Sequence, residues 1–120
     1  MSLAILRIVL ICQAPALLTQ SAFAGEFLAG SDGAVKFHEL TGWTILAIAA
    51  IQILATGILT RSGVASLWLF FASVFVFLAA ELQVGNGYRR FLNVHIPLGV
   101  ILFGAIAAQA ISVFLKRNEV

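Results

Sequence analysis

The sequence predicts an all-α membrane protein: four transmembrane helices in an up-down-up-down bundle built from two repeated helical hairpins. Three observations carry this reading. Of 120 residues, 62% are hydrophobic and only 10% are charged, outside the range of ordinary soluble domains. Four apolar runs, at about residues 3–28, 37–59, 64–83 and 93–115, each approach or exceed the ~20 residues that a helix needs to cross ~30 Å of hydrocarbon. The chain has two histidines, His38 and His95, and each heads one of a pair of similar segments. Little lies outside the four runs, so residues 1–120 read as a single four-helix transmembrane domain.

The first run ends in Ala22-Phe23-Ala24 before Gly25, which has the form of a signal-peptide cleavage site. Its leading charge is a single arginine, Arg7, and it is expected to remain as an uncleaved first span. Pro15 falls inside it and should kink the helix. Cys12 is the lone cysteine; it reads as a small buried apolar residue and says nothing about redox compartment.

The second run follows the glycine-rich segment Gly30 to Lys36, and the tight turn Thr60-Arg61-Ser62-Gly63 separates it from the third. A second glycine-rich loop, Gly85 to Arg90, precedes the fourth run. Pro97 in that run is expected in the first helical turn, where its missing N–H is harmless. Four spans put both termini on one side with Arg7, Arg61, Lys116 and Arg117; Lys36, Arg89 and Arg90 lie on the other. Four basic residues against three, together with the signal-like first span, predict cytoplasmic termini in a bacterial-type inner (plasma) membrane. The formal charge of +2 is too small and too scattered for a nucleic-acid partner.

The two halves resemble each other. Aligning Glu26 with Glu81 and His38 with His95 requires two extra residues in the second outer loop, and it also pairs Gln52 with Gln109. Two such hairpins predict pseudo-twofold symmetry about the membrane normal, with equivalent residues facing across the axis. Steps of four and three hold one helix face. From His38 that face runs through Gly42, Ile45, Ala49, Gln52 and Thr56, and from His95 through Gly99, Leu102, Ile106, Gln109 and Val113. Polar groups on these stripes should turn inward, because lipid offers them no partner.

Two inward imidazoles at one depth on facing helices meet the requirement for axial ligation of one haem. Gly42 and Gly99, one turn below, would leave room for the porphyrin edge. Lys36, Arg89 and Arg90 lie at the same outer end, and arginine pairs bidentately with carboxylates, so all three are candidate propionate anchors. Each feature also has a plainer reading. A single interfacial histidine is usually a polar end residue; it is the matched pair that favours ligation. Glycines permit helix approach, and terminal arginines snorkel to headgroups. Gln52 and Gln109 lie ~21 Å along the helix from the histidines, so they belong to interhelical hydrogen bonding, as do Gln13 and Gln20.

Phe27-Leu28-Ala29-Gly30, Phe37-His38 with Gly42, Gln83, and Val94-His95-Ile96-Pro97 together resemble a family of small uncharacterised bacterial four-helix membrane proteins. That resemblance covers nearly the whole chain and implies the four-span fold but no established activity. More distantly, the layout is similar to cytochrome b-type haem-binding bundles, including the half-bundle of haem A synthase. This similarity implies histidine ligation near one membrane face. Two-haem electron-transfer members need four histidines, and this chain has two.

The expected function is therefore binding of one haem b, as a one-electron carrier or a small subunit of a larger respiratory or photosynthetic membrane complex. Membrane lipid and a quinone or other redox partner are the expected contacts. The alternatives are a structural subunit without cofactor, or an outer-face metal site joining His38 and His95 with Glu26, Glu39 or Glu81. Small multidrug exporters share the length and span count, but they use a carboxylate embedded in the first span, whereas Glu26 lies at its outer end. No nucleophile with an adjacent base and no phosphate-binding loop supports catalysis.

Overall fold

A computed structural model of the protein describes residues 2–115. Four helices account for nearly all of them: α1 (Leu3–Leu28), α2 (Ala34–Arg61), α3 (Leu67–Tyr88) and α4 (Leu92–Leu115). All four are long and apolar enough to cross a membrane, and at most 39% of the most apolar window of any one is buried inside the bundle. The remainder is an outer surface of leucine, isoleucine and phenylalanine, suited to lipid. The molecule is a rod of 52 × 20 × 19 Å. Lys116 and Arg117, part of the charge argument for topology, lie outside the described residues.

Short connections force antiparallel neighbours, and the helices pack in a ring: α1 on α2, α2 on α3, α3 on α4, and α4 on α1. This leaves α2 diagonally opposite α4, the two helices that carry the histidines. The buried face of α2 includes Ile45, Ala49, Gln52 and Thr56, and that of α4 is Leu102, Ile106, Gln109 and Val113. These are the two predicted stripes.

The repeat has a different register in its first helix from the one the sequence suggests. Buried Leu6, Leu10, Gln13 and Leu17 of α1 share their spacing with buried Leu69, Ser73, Val76 and Ala80 of α3. That register pairs Gln20 with Gln83, not Glu26 with Glu81. His38 follows Gln20 by 18 residues, while His95 follows Gln83 by 12, so the first outer connection is the longer one, by six. The glutamates mislead because both are exposed near the ends of their helices, where packing places no constraint on them.

Helix ends also depart from expectation. Gly85 to Tyr88 is helical, and only Arg89 to Phe91 link α3 to α4. The α1, α2 and α3 ends share one hydrogen-bond pattern. Ser31 N–H reaches Glu26 O at 3.0 Å, Val64 N–H reaches Leu59 O at 2.9 Å and Phe91 N–H reaches Asn86 O at 3.0 Å, each across a residue of positive φ. Those residues are Gly30, Gly63 and Arg90, the last at φ 57°. Because α4 begins at Leu92, Pro97 lies in the second turn, and the Asn93 carbonyl lacks the N–H that would normally bond it. The α1 helix continues through Pro15. Cys12 is exposed on the outside of α1, not buried.

Candidate functional site at the histidine end of the bundle

His38 lies in the second turn of α2 and His95 in the first turn of α4. Their inward faces are set by the same periodicity that buries Ile45 and Leu102 below them. The two rings meet across the bundle axis with centroids 5.9 Å apart and planes at 66°. Both are half-buried.

Each imidazole is held by the helix that precedes its own. His38 Nδ1 lies 3.0 Å from the main-chain carbonyl of Gln20 on α1, and His95 Nδ1 lies 2.8 Å from that of Gln83 on α3. A carbonyl can only accept, so Nδ1 is the donor in both rings. In the neutral form this tautomer leaves the Nε2 lone pair available, the state required of a metal-ligating histidine oriented by a backbone carbonyl. The two hydrogen bonds are pseudo-symmetric equivalents, glutamine for glutamine and histidine for histidine.

The glutamine side chains cover the two glycines. The position a Cβ would take on Gly42 is 3.2 Å from Gln20 Nε2, and on Gly99 it is 2.9 Å from Gln83 Nε2. Thr41 donates its hydroxyl to Gln20 Oε1. Gln83 Oε1 is buried without a hydrogen-bond partner among the described residues. A third glycine, Gly87, passes closest to an imidazole, its missing Cβ falling 3.0 Å from His95 Cε1.

The basic candidates are at this same end, and all three are exposed. Lys36 belongs to the first turn of α2, while Arg89 and Arg90 form the turn after α3. The aromatic residues form a separate group on the α2–α3 side. Trp43 Nε1 donates to Tyr88 Oη at 3.1 Å, and Tyr88 donates to the Glu39 carboxylate. Glu39 is thereby engaged away from the histidines. Among the described residues no third histidine, cysteine or carboxylate joins His38 and His95, so the arrangement lacks the carboxylate that a two-histidine metal site would draw from Glu26, Glu39 or Glu81.

The residues that sequence reasoning missed are Gln20 and Gln83, as holders of the rings, and Gly87. Aligning α1 with α3 on their apolar four-and-three spacing, instead of on the glutamates, would have paired the first two with each other. Gly87 carries no signal of its own, since it becomes a packing position only once α3 extends through it. No family model, curated protein or solved structure matches the chain.

Proposed function

We propose that this chain is a haem b-binding integral membrane protein that holds one haem between His38 and His95 near the outer face. In this reading it acts as a one-electron carrier or as a small subunit of a larger respiratory or photosynthetic membrane complex. It is a multi-pass protein of a bacterial-type inner membrane, with cytoplasmic termini.

The observation that carries the reading is the imidazole pair: two rings on diagonal helices, 5.9 Å apart, each with Nδ1 donating to a main-chain carbonyl. Rings this close could share one metal atom through their free Nε2 atoms, with the Gln20 and Gln83 carbonyls holding them in orientation. Fit to the porphyrin plane rests on side-chain movement. Gln20 and Gln83 are half-buried with flexible side chains, and swinging them outward would open the faces of Gly42 and Gly99. When bound, the haem would supply one-electron redox chemistry; His38 and His95 would be its axial ligands, and Lys36, Arg89 and Arg90 its propionate anchors. The distant likeness to cytochrome b-type bundles belongs to this proposal, as does a quinone or other redox partner.

The test is a visible spectrum of the protein purified from a host with ample haem supply, oxidised and then reduced with dithionite. A Soret band with sharp α and β bands on reduction, lost in His38→Ala and in His95→Ala, is the expected result. A colourless preparation from such a host would sink the reading.

One observation favours a second reading. The spaces above Gly42 and Gly99 are filled by the protein's own glutamines, and both histidines already have partners. A structural subunit would use the four residues Gln20, His38, Gln83 and His95 only to lock the outer ends of α1 to α2 and of α3 to α4. A colourless protein destabilised by His95→Ala would support that reading.

A further inference from the structure

Two apolar clusters make up the core. The outer one contains Leu17, Ile45, Ala49, Val76, Ala80, Leu102 and Ile106, and the inner one contains Leu6, Leu10, Leu59, Leu69 and Val113. Between them every helix contributes a buried polar residue: Gln13 from α1, Gln52 from α2, Ser73 from α3 and Gln109 from α4, each no more than 2% exposed. Part of this layer is satisfied internally. Gln52 Nε2 donates to Gln109 Oε1 and, at 3.1 Å, to Ser73 Oγ, while Ser73 Oγ donates to the Leu69 carbonyl at 2.8 Å.

Four amide atoms of this layer have no hydrogen-bond partner among the described residues: Gln13 Nε2 and Oε1, Gln52 Oε1, and Gln109 Nε2. Leaving such groups bare in a bilayer interior is costly, and native proteins satisfy them with ordered water or an ion. The chemistry of the set chooses between these. It comprises two donors and two acceptors, with no charged side chain in the layer. A cation would satisfy only the carbonyls and an anion only the amides. Water satisfies both, and interchanging the two ends of any one amide leaves a mixed set.

We infer that the glutamine layer is a closed internal water site, in which water bridges Gln13 to the Gln52–Gln109 pair between the two apolar clusters. The apolar clusters above and below seal it from both surfaces, so the water is structural and not part of a path to the histidines. The site requires no haem, and its test stands apart from the proposed function.

The experiment is magnetisation transfer from water to glutamine side-chain amides in the ¹⁵N-glutamine-labelled full chain in lipid nanodiscs. Signals are assigned by their loss in Gln13→Leu and Gln109→Leu; should either variant fail to fold, residue-selective labelling assigns them in the native chain. The expected result is water transfer to the amides of Gln13 and Gln109, with exchange into D2O at least ~10-fold slower than at the half-buried Gln20 amide. Absence of transfer at mixing times where Gln20 shows it would overturn the inference. So would exchange as fast as at Gln20, which marks an open channel, or a saturable shift with sodium, potassium or chloride, which marks an ion site.

Discussion

A side-chain carbon on Gly87 would lie 3.0 Å from Cε1 of His95, tighter than nine in ten real Cβ contacts, so the glycine lets α3 pass this close to the imidazole without displacing it. Gly87→Ala adds helix propensity worth up to about 1 kcal/mol and must displace the His95 ring by a few tenths of an ångström. The expected outcome is a folded protein whose His95 Cε1–H resonance shifts more than that of His38, its ring neighbour at 5.9 Å. Equal shifts at both rings would show that the contact is not local.

Gly42 and Gly99 separate cofactor access from packing. A methyl group at either position meets the far end of a glutamine side chain, at 3.2 Å for Gly42 and 2.9 Å for Gly99, and such an end can turn away. Gly42→Ala and Gly99→Ala are therefore expected to change the stability of the haem-free fold by less than about 1 kcal/mol. Haem retention should fall at least several-fold in both, because the added methyl group then occupies the space that the porphyrin edge would need. Loss of stability with unchanged haem retention would assign the glycines to packing alone. Detergent unfolding curves and haem content per chain measure the two effects.

Arg90 occupies the left-handed conformation that Gly30 and Gly63 take at the equivalent helix ends. A non-glycine residue there costs roughly 1–2 kcal/mol, so Arg90→Gly is expected to stabilise the fold by about 1 kcal/mol. If the guanidinium anchors a propionate, the same substitution weakens haem binding. A rise in stability together with a fall in haem affinity is the expected signature. A rise in both would remove Arg90 from the site.

The Gln52–Gln109 hydrogen bond joins the diagonal helices inside the bundle, with Ser73 as a second acceptor. Gln52→Leu removes the donor and leaves Gln109 Oε1 unpaired in the core. The expected cost is about 1–2 kcal/mol, measured by unfolding in mixed detergent micelles. The double variant Gln52→Leu with Gln109→Leu should recover part of that loss, since the stranded Gln109 Oε1 is then removed as well.

The four spans, the diagonal placement of the histidines and the two buried stripes were legible in the sequence. Composition identifies the helices, and steps of four and three from His38 and His95 reach Gln52 and Gln109 directly. The α1–α3 register is present in the apolar spacing but was masked, because Glu26 and Glu81 are conspicuous in an apolar chain and yet are exposed residues that packing does not hold. The helical course of Gly85 to Tyr88 was hidden for a related reason: glycine's low helix propensity is a local signal, and the closeness of Gly87 to His95 is a tertiary one. Main-chain carbonyls such as those of Gln20 and Gln83 leave no mark in side-chain chemistry, so the partners of the two Nδ1 atoms emerged only with the fold.

Whether both imidazoles hold one haem is read by titrating haem into the purified haem-free protein and recording absorption and low-temperature electron paramagnetic resonance. Saturation at one haem per chain with a low-spin ferric signal of two nitrogen ligands is the expected result. His38→Ala and His95→Ala should each convert that signal to high spin or abolish binding. Saturation at one haem with the low-spin signal unchanged in either variant would contradict ligation by both imidazoles, as would the absence of any saturable binding.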